Sequence, residues 1–241
     1  MSDPLRFYGV GLPYLPQEGY PGKLIVVEGQ DGSGRSTQVR LLARYLELRG
    51  HAVVETGLAR SNLIADVIEE SKQGHTLGER TMSLLYATDF ADQVENVILP
   101  SLGSGAVVLA DRYLFSLVAR STVRGLDPHW VRTLYGFAPV PDAIFYLRVP
   151  PQTLLYRAFG KSGRLDYWES GMDLALSTDR FTSFLEYQQR IYTIMETLCD
   201  EYGFHVLDGE QRVDLIQEQL RRAVTAVIEE GGQPGSALGD R

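Results

Sequence analysis

The chain has 241 residues, of which 44% are hydrophobic and 22% charged, ordinary values for a globular chain long enough to bury one sizeable core. A formal net charge of −8 argues against a general binder of nucleic acid or anionic membrane, because neutralising a phosphate backbone needs clustered Lys and Arg; one small anionic ligand on a local basic cluster remains open. The single cysteine, Cys199, rules out an internal disulfide framework and reads as a core residue in a reducing, cytoplasmic setting.

In chain order, residues 1–22 show no basic region followed by an apolar one, so they do not read as a signal peptide. Rich in Pro, Gly and Tyr, they read as an ordered or semi-ordered N-terminal extension. Residues 24–27 are a β-branched apolar run bounded by turn residues, a buried strand. A glycine-rich stretch, 29–34, leads into a helix predicted over 36–49. A second strand is predicted at 51–56. Helices are predicted over 63–73 and 84–99, with Pro100 as the stop just past the second. Further strands are predicted at 106–110, 143–149 and 204–207, and helices at 152–157, 181–202 and 213–229. Residues 231–241 read as a disordered tail. No run of about 18 apolar residues exists, so no transmembrane helix is predicted. His51, His75, His129 and His205 are scattered without metal-ligand spacing. Continuous apolar strands alternating with helices predict an α/β fold: a central parallel β-sheet with helices on both faces, in one domain over 23–230.

Gly29, Gln30, Asp31, Gly32, Ser33, Gly34, Arg35, Ser36 and Thr37 follow a strand and open a helix, the context a P-loop requires. Glycines let the backbone fold into a nest of N–H groups that attracts ATP phosphates at a helix N-terminus. Ser36 stands where the P-loop hydroxyl ligates Mg²⁺. Arg35 takes the place of the usual Lys, keeping the charge with a wider, planar head. The alternatives are a glycine turn that holds no nucleotide and a loop that binds nucleotide with little catalysis.

The P-loop stretch and three later motifs together resemble the thymidylate kinase family of nucleoside monophosphate kinases. Asp111, Arg112 and Tyr113, followed by Ser116 and Ala119, resemble that family's Asp-Arg-Tyr signature. Pro141 and Asp142, then Val149, Pro150 and Arg157, resemble its run into a lid, and Leu207, Asp208 and Gly209 its last strand. The resemblance covers about residues 23–229. It implies the three-layer P-loop fold with a lid at about 157–171, ATP as phosphoryl donor with Mg²⁺, and a nucleoside monophosphate acceptor. Asp111 is then placed to orient Mg²⁺, with a strand-end ion pair as the structural alternative, and Arg112 to hold the acceptor phosphate. In the family the catalytic Arg sits in the P-loop or the lid. Asp31, Gly32 and Ser33 supply none, so Arg157 and Arg164, flanking the basic segment 160–163, are the candidates. The alternative for that segment is an ordinary solvated loop.

The acceptor side departs from the pattern. Thr-Arg-Glu-Pro is expected after the second strand, whereas Thr56, Gly57, Leu58 and Ala59 appear with Arg60 displaced. Ala-Asp-Arg-Ala is expected on the base-reading helix, whereas Thr88, Asp89, Phe90 and Ala91 appear. Tyr-Gln is expected after the Asp-Arg-Tyr motif, and Arg120 and Ser121 appear. Tyr86 and Phe90 are either acceptor contacts or core residues; Arg60, Arg120 and Arg124 are the cations that could compensate. Loss of hydrogen-bonding groups from a base site predicts weaker thymidylate turnover than the family norm. The sequence thus reads as a homodimeric or monomeric cytoplasmic kinase acting on ATP and a small phosphorylated acceptor. Its rivals are a kinase for another acceptor and a nucleotide-binding regulator.

Overall fold

Five segments form strands: β1 (Lys23–Glu28), β2 (Val53–Gly57), β3 (Val107–Asp111), β4 (Ala143–Arg148) and β5 (His205–Asp208). They form one parallel sheet in the order β2-β3-β1-β4-β5. The computed structural model describes residues 5–14, 19–74 and 77–229; the expectations for His75 and for residues 231–241 lie outside them. In β1 the period-2 alternation of side chains feeds two cores at once. Leu24 and Val26 join one apolar cluster with Val108 and Ala110, while Ile25 and Val27 join another with Val107 and Leu109. A strand buried on both faces has no polar side to show, which is why these runs read as continuously apolar.

On the second face lie α1 (Arg35–Leu48) and α9 (Val213–Glu229), which supply Leu42 and Leu220 to its cluster. The first face is covered by α3 (Glu79–Gln93), α5 (Leu114–Val123) and α8 (Arg180–Tyr202); α2 (Ala65–Gly74) packs on α3, and α6 (Pro128–Leu134) packs on α5. α4 (Leu99–Gly103) continues α3 through a π-helical turn, Val94–Ile98. Contrary to the sequence expectation, Pro100 does not stop the helix; it lies in the first turn of α4. Proline has no N–H to give and its ring presses on the preceding turn, and a π-bulge directly ahead relieves both. α5 and α6 are not among the helices the sequence predicts, although α6 carries an N-cap signal: Asp127 Oδ1 accepts from the His129 N–H at 2.8 Å, ahead of Pro128.

The described part of the extension is ordered. Phe7 pairs with Pro139 in an antiparallel bridge, Tyr8 N–H donates to the Ala138 carbonyl at 3.1 Å, and Val140 N–H donates to the Arg6 carbonyl at 2.8 Å. The Tyr8 ring stands edge-on to Phe115 and Tyr202, closing the base of the first core. α7 (Pro151–Ser162) is longer than predicted, and Gly163 ends it in the left-handed conformation (φ 69°). Arg157 and residues 160–162 are therefore helical and not part of a flexible loop; the irregular segment between α7 and α8 starts at Gly163.

The strand register sets the site. Val27 lies beside Asp111, and Asp111 beside Gly57. The carboxyl ends of β1, β2 and β3 thus form one edge, with β1 at the point where strand order reverses, the position at which open α/β sheets hold ligands.

Candidate functional site

The loop after β1 is shaped by glycine. Gly32 and Gly34 take φ of 84° and 92°, and Gly34 opens α1 with no side-chain cap. A helix start of that kind offers its N–H groups to an anion. The loop walls a cavity of about 770 Å³, closed on the other side by Arg157, Lys161, Arg164, Leu165, Asp166, Tyr167 and Glu169. Arg157 is fixed against the loop: its Nη1 donates to the Ser33 carbonyl at 3.2 Å and its Nη2 to the Gly209 carbonyl at 2.9 Å. Arg164 lines the same cavity and is exposed.

Arg35 is 9% exposed and turned inward, donating to the Asp111 carboxylate and to the Gly29 carbonyl. Asp111 also faces Arg60 Nη2 at 3.5 Å and bonds Ser36. Burial pushes the Asp111 carboxyl upward, but Arg35, Ser36 and Arg112 outweigh it and hold it below the usual carboxylate range. Arg60 reaches this carboxylate across Gly57, where a Cβ would lie 2.6 Å from the Asp111 carbonyl oxygen and 3.1 Å from Arg60 Nε. The displaced arginine of the sequence is thus brought back to the strand edge by the glycine that precedes it.

A second cavity, about 540 Å³, lies beyond the loop. Tyr86, Ser83, Arg112, Arg120, Ser121 and Arg124 line it, and Asp31, Asp166, Tyr167 and Glu169 line both cavities. Asp31 accepts from Arg112 and, at 2.6 Å, from Arg120 Nη2. Burial raises its carboxyl, yet Arg112, Arg120 and Arg35 hold it well below the ordinary range. Glu169 is pushed up to about 7, first by burial and then by Asp31 and Asp166, against Arg120 and Arg112. Arg112 has φ 77°, a strained setting for a non-glycine residue that β3 and α5 impose on either side. Its N–H is tied to the Val27 carbonyl at 3.0 Å.

Two of the predicted contacts sit elsewhere than in the acceptor cavity. Phe90 is 2% exposed and packs edge-on against Tyr113 and Tyr135 in the core, with ring centroids 4.9 and 5.7 Å away. It does not line the cavity, so the expectation of weak thymidylate turnover loses its main ground. Arg60 faces Asp111. Tyr86, Arg112 and Arg120 do line the cavity.

Several residues that build the site were missed. Glu28, fully buried at the end of β1, accepts from Tyr113 N–H (2.9 Å), Ser116 N–H (3.2 Å) and Ser116 Oγ (2.6 Å), so it caps α5 from a neighbouring strand. Burial raises its carboxyl against these donors. Its signal was a charge closing an apolar run. Asp89, also fully buried, accepts from the N–H groups of Ala59 and Ser61 at 2.8 Å each and fixes the loop after β2, where Ala59 has φ 54°. Arg124, by contrast, is a cation the sequence does single out; it lines the acceptor cavity, donates to Asp173 at 2.8 Å and lies over the rings of Trp168 and Tyr187. Cys199 is buried as expected, and its thiol is pushed up to about 12 by burial, so it is no nucleophile.

Among the described residues no group of three metal-ligating His, Cys, Asp or Glu side chains occurs, and no helix is long and apolar enough to cross a membrane. Ser36 and Asp111 supply two hard oxygen donors side by side, a set suited to Mg²⁺ that completes its shell with phosphate oxygens and water.

The thymidylate kinase family model matches residues 27–220. The chain is 38% identical over 209 residues to the probable thymidylate kinase 2 of Saccharolobus solfataricus, covering 86% of this chain and 98% of that one. It is 31% identical over 221 residues to the thymidylate kinase of an Exiguobacterium species, covering 88% and 98%. With the thymidylate kinase of Akkermansia muciniphila it shares 36% identity over 163 residues, 67% and 79% of the two chains. The P-loop, the Asp-Arg-Tyr strand end, the family model and these alignments agree, and the chain belongs to the thymidylate kinase family.

Proposed function

We propose that this enzyme moves the γ-phosphoryl group of ATP to thymidine monophosphate, giving ADP and thymidine diphosphate. The observation that carries the reading is the shared wall of the two cavities at Asp31, Asp166, Tyr167 and Glu169, with the P-loop on one side and Arg112 and Arg120 on the other. ATP lies on the P-loop, and the acceptor phosphate meets Arg112 and Arg120. An acceptor phosphate oxygen attacks the γ-phosphorus while the bond to the β,γ-bridging oxygen breaks, so the two substrates need only meet in line. Ser36 and Asp111 would hold Mg²⁺, which supplies charge neutralisation on the phosphates. Arg35 leaves Asp111 for the β- and γ-phosphates when nucleotide enters, and Arg164 brings a further cation from the lid side. Tyr86 offers a ring face to the base, with the Ser83 and Ser121 hydroxyls, 3.0 Å apart, beside it. The names of the relatives support thymidine monophosphate as acceptor.

The test is ADP formation with Mg-ATP over a panel of nucleoside monophosphates. Preference for thymidine monophosphate with kcat/KM of about 10⁴ M⁻¹s⁻¹ or above is expected. Preference for another monophosphate would replace the acceptor, and ATP binding without turnover of any acceptor would make the protein a nucleotide-binding regulator.

A further inference from the structure

The segment between α7 and α8 is held by side-chain donors that reach its backbone carbonyls. From α8, Arg180 Nη1 donates to Leu165 at 3.2 Å, Ser183 Oγ to Ser170 at 2.7 Å and Gln188 Nε2 to Glu169 at 2.8 Å. Gln188 differs from the other two in also holding the P-loop. Gln30 Nε2 donates to Gln188 Oε1 and to the Gln188 carbonyl, both at 2.8 Å. Gln30 is 6% and Gln188 2% exposed, so these links are out of water, where a hydrogen bond left unmade costs most. The chemistry of the amide matters here. Gln188 accepts from the P-loop through Oε1 while donating to the lid through Nε2; a side chain that only donates or only accepts could not do both. At the lid end of this chain of bonds, Glu169 stands on the wall common to both cavities.

We propose that Gln30 and Gln188 are positioning residues that make the backbone at Glu169 follow the conformation of the P-loop. Phosphates entering the loop displace Gln30, Gln188 moves with it, and the lid is set over the acceptor only when the donor site is filled. The proposal deepens the reading of the cavities as donor and acceptor sites and rests on it for its consequence in turnover. Gln30→Met is a clean probe, since Gln30 Oε1 is buried with no partner among the described residues and the substitution removes little besides the relay.

The experiment compares the full chain with Gln30→Met, Gln188→Met and the double variant, by hydrogen exchange of the lid amides and by steady-state kinetics. The amides of Ser170, Gly171 and Met172 are bonded within the lid and report its opening. Both single variants are expected to exchange there roughly tenfold faster, a shift of about 1.4 kcal/mol in lid opening, and the double variant no faster than Gln188→Met. The kcat with Mg-ATP and thymidine monophosphate is expected to fall roughly tenfold, with KM for ATP within about threefold, because the loop holds phosphates through its backbone N–H groups, which a change of side chain at 30 leaves in place. Wild-type lid exchange in Gln30→Met, or effects that multiply in the double variant, would overturn the relay, as would lost thermal stability with unchanged kcat. Exchange needs no turnover: a wild-type protein inert toward thymidine monophosphate would overturn the proposed acceptor, while the exchange data still decide the relay.

Discussion

Arg35→Met separates the two things Arg35 is asked to do. The substitution keeps an apolar stem and removes the guanidinium that donates to Asp111 and Gly29. Asp111 is 8% exposed and is then left with Arg60 at 3.5 Å as its nearest cation. Removing one partner of a buried pair costs about 3–5 kcal/mol, and the remaining arginine favours the low end, about 3 kcal/mol. For a chain of this size that lowers Tm by roughly 6–12 °C. Asp111 is held below the usual carboxylate range, so the pair's contribution is present above the ordinary carboxylate pKa and is lost as pH falls. The Tm gap between wild type and Arg35→Met therefore narrows below about pH 4. Adding Asp111→Asn should recover part of the Tm, because the unpaired carboxylate is gone, and should leave activity absent. Loss of a charged donor to the phosphates should lower kcat/KM by roughly 10- to 100-fold, measured well below both melting transitions, with Arg35→Lys retaining much of it. An unchanged Tm would refute the buried-pair argument. Lower Tm with full activity would make Arg35 a strut for Asp111 and refute its phosphate role.

Glu169→Gln should raise Tm at pH 8 but not at pH 5. A carboxyl raised to about 7 in the fold costs nothing below its unfolded pKa and its full penalty above about 7, so the gap should open between those values, and a gap independent of pH would refute the assignment. Asp89→Ala should raise KM for the acceptor while leaving KM for ATP alone, since it frees the loop carrying Leu58 and Ala59, which line the acceptor cavity. Equal changes in both constants would count against that separation. Cys199 should resist a thiol reagent at pH 8 in the native chain and react at once in denaturant; native reactivity would contradict its burial.

What the sequence made legible was whatever is local. Apolar runs forecast the central strands β1, β3 and β4, because a sheet covered on both faces wants nothing polar within them, whereas the edge strands β2 and β5 carry Glu55, His205 and Asp208. The P-loop was legible because glycines at that spacing, between a strand and a helix, have few other uses. Tyr86 and Phe90 show where local reading ends. They lie one turn apart on α3, both aromatic, with the same periodicity. Only the position of Tyr113 and Tyr135 opposite decides that Phe90 enters the core while Tyr86 lines the cavity. The caps supplied by Glu28 and Asp89 were hidden for the same reason, since donor and acceptor are 85 and 28–30 residues apart in the chain.

Non-local geometry also changes what the departures from the family pattern mean. Read singly, Gly57 in place of an arginine and Arg60 three residues late are two losses. In the fold they are one exchange: a side chain at 57 would strike the Asp111 carbonyl and occupy the path of Arg60, whereas glycine leaves that path open and a guanidinium still reaches Asp111. Arg120 behaves in the same way. It stands where Tyr is expected and, with Arg112, clamps Asp31 at the wall between donor and acceptor. The strand edge thus keeps its density of guanidinium groups although the residues that carry them have moved. Charge placed at the transferring phosphoryl group depends on where side chains end, not on where they begin, which is why such an exchange leaves phosphoryl transfer available to this chain.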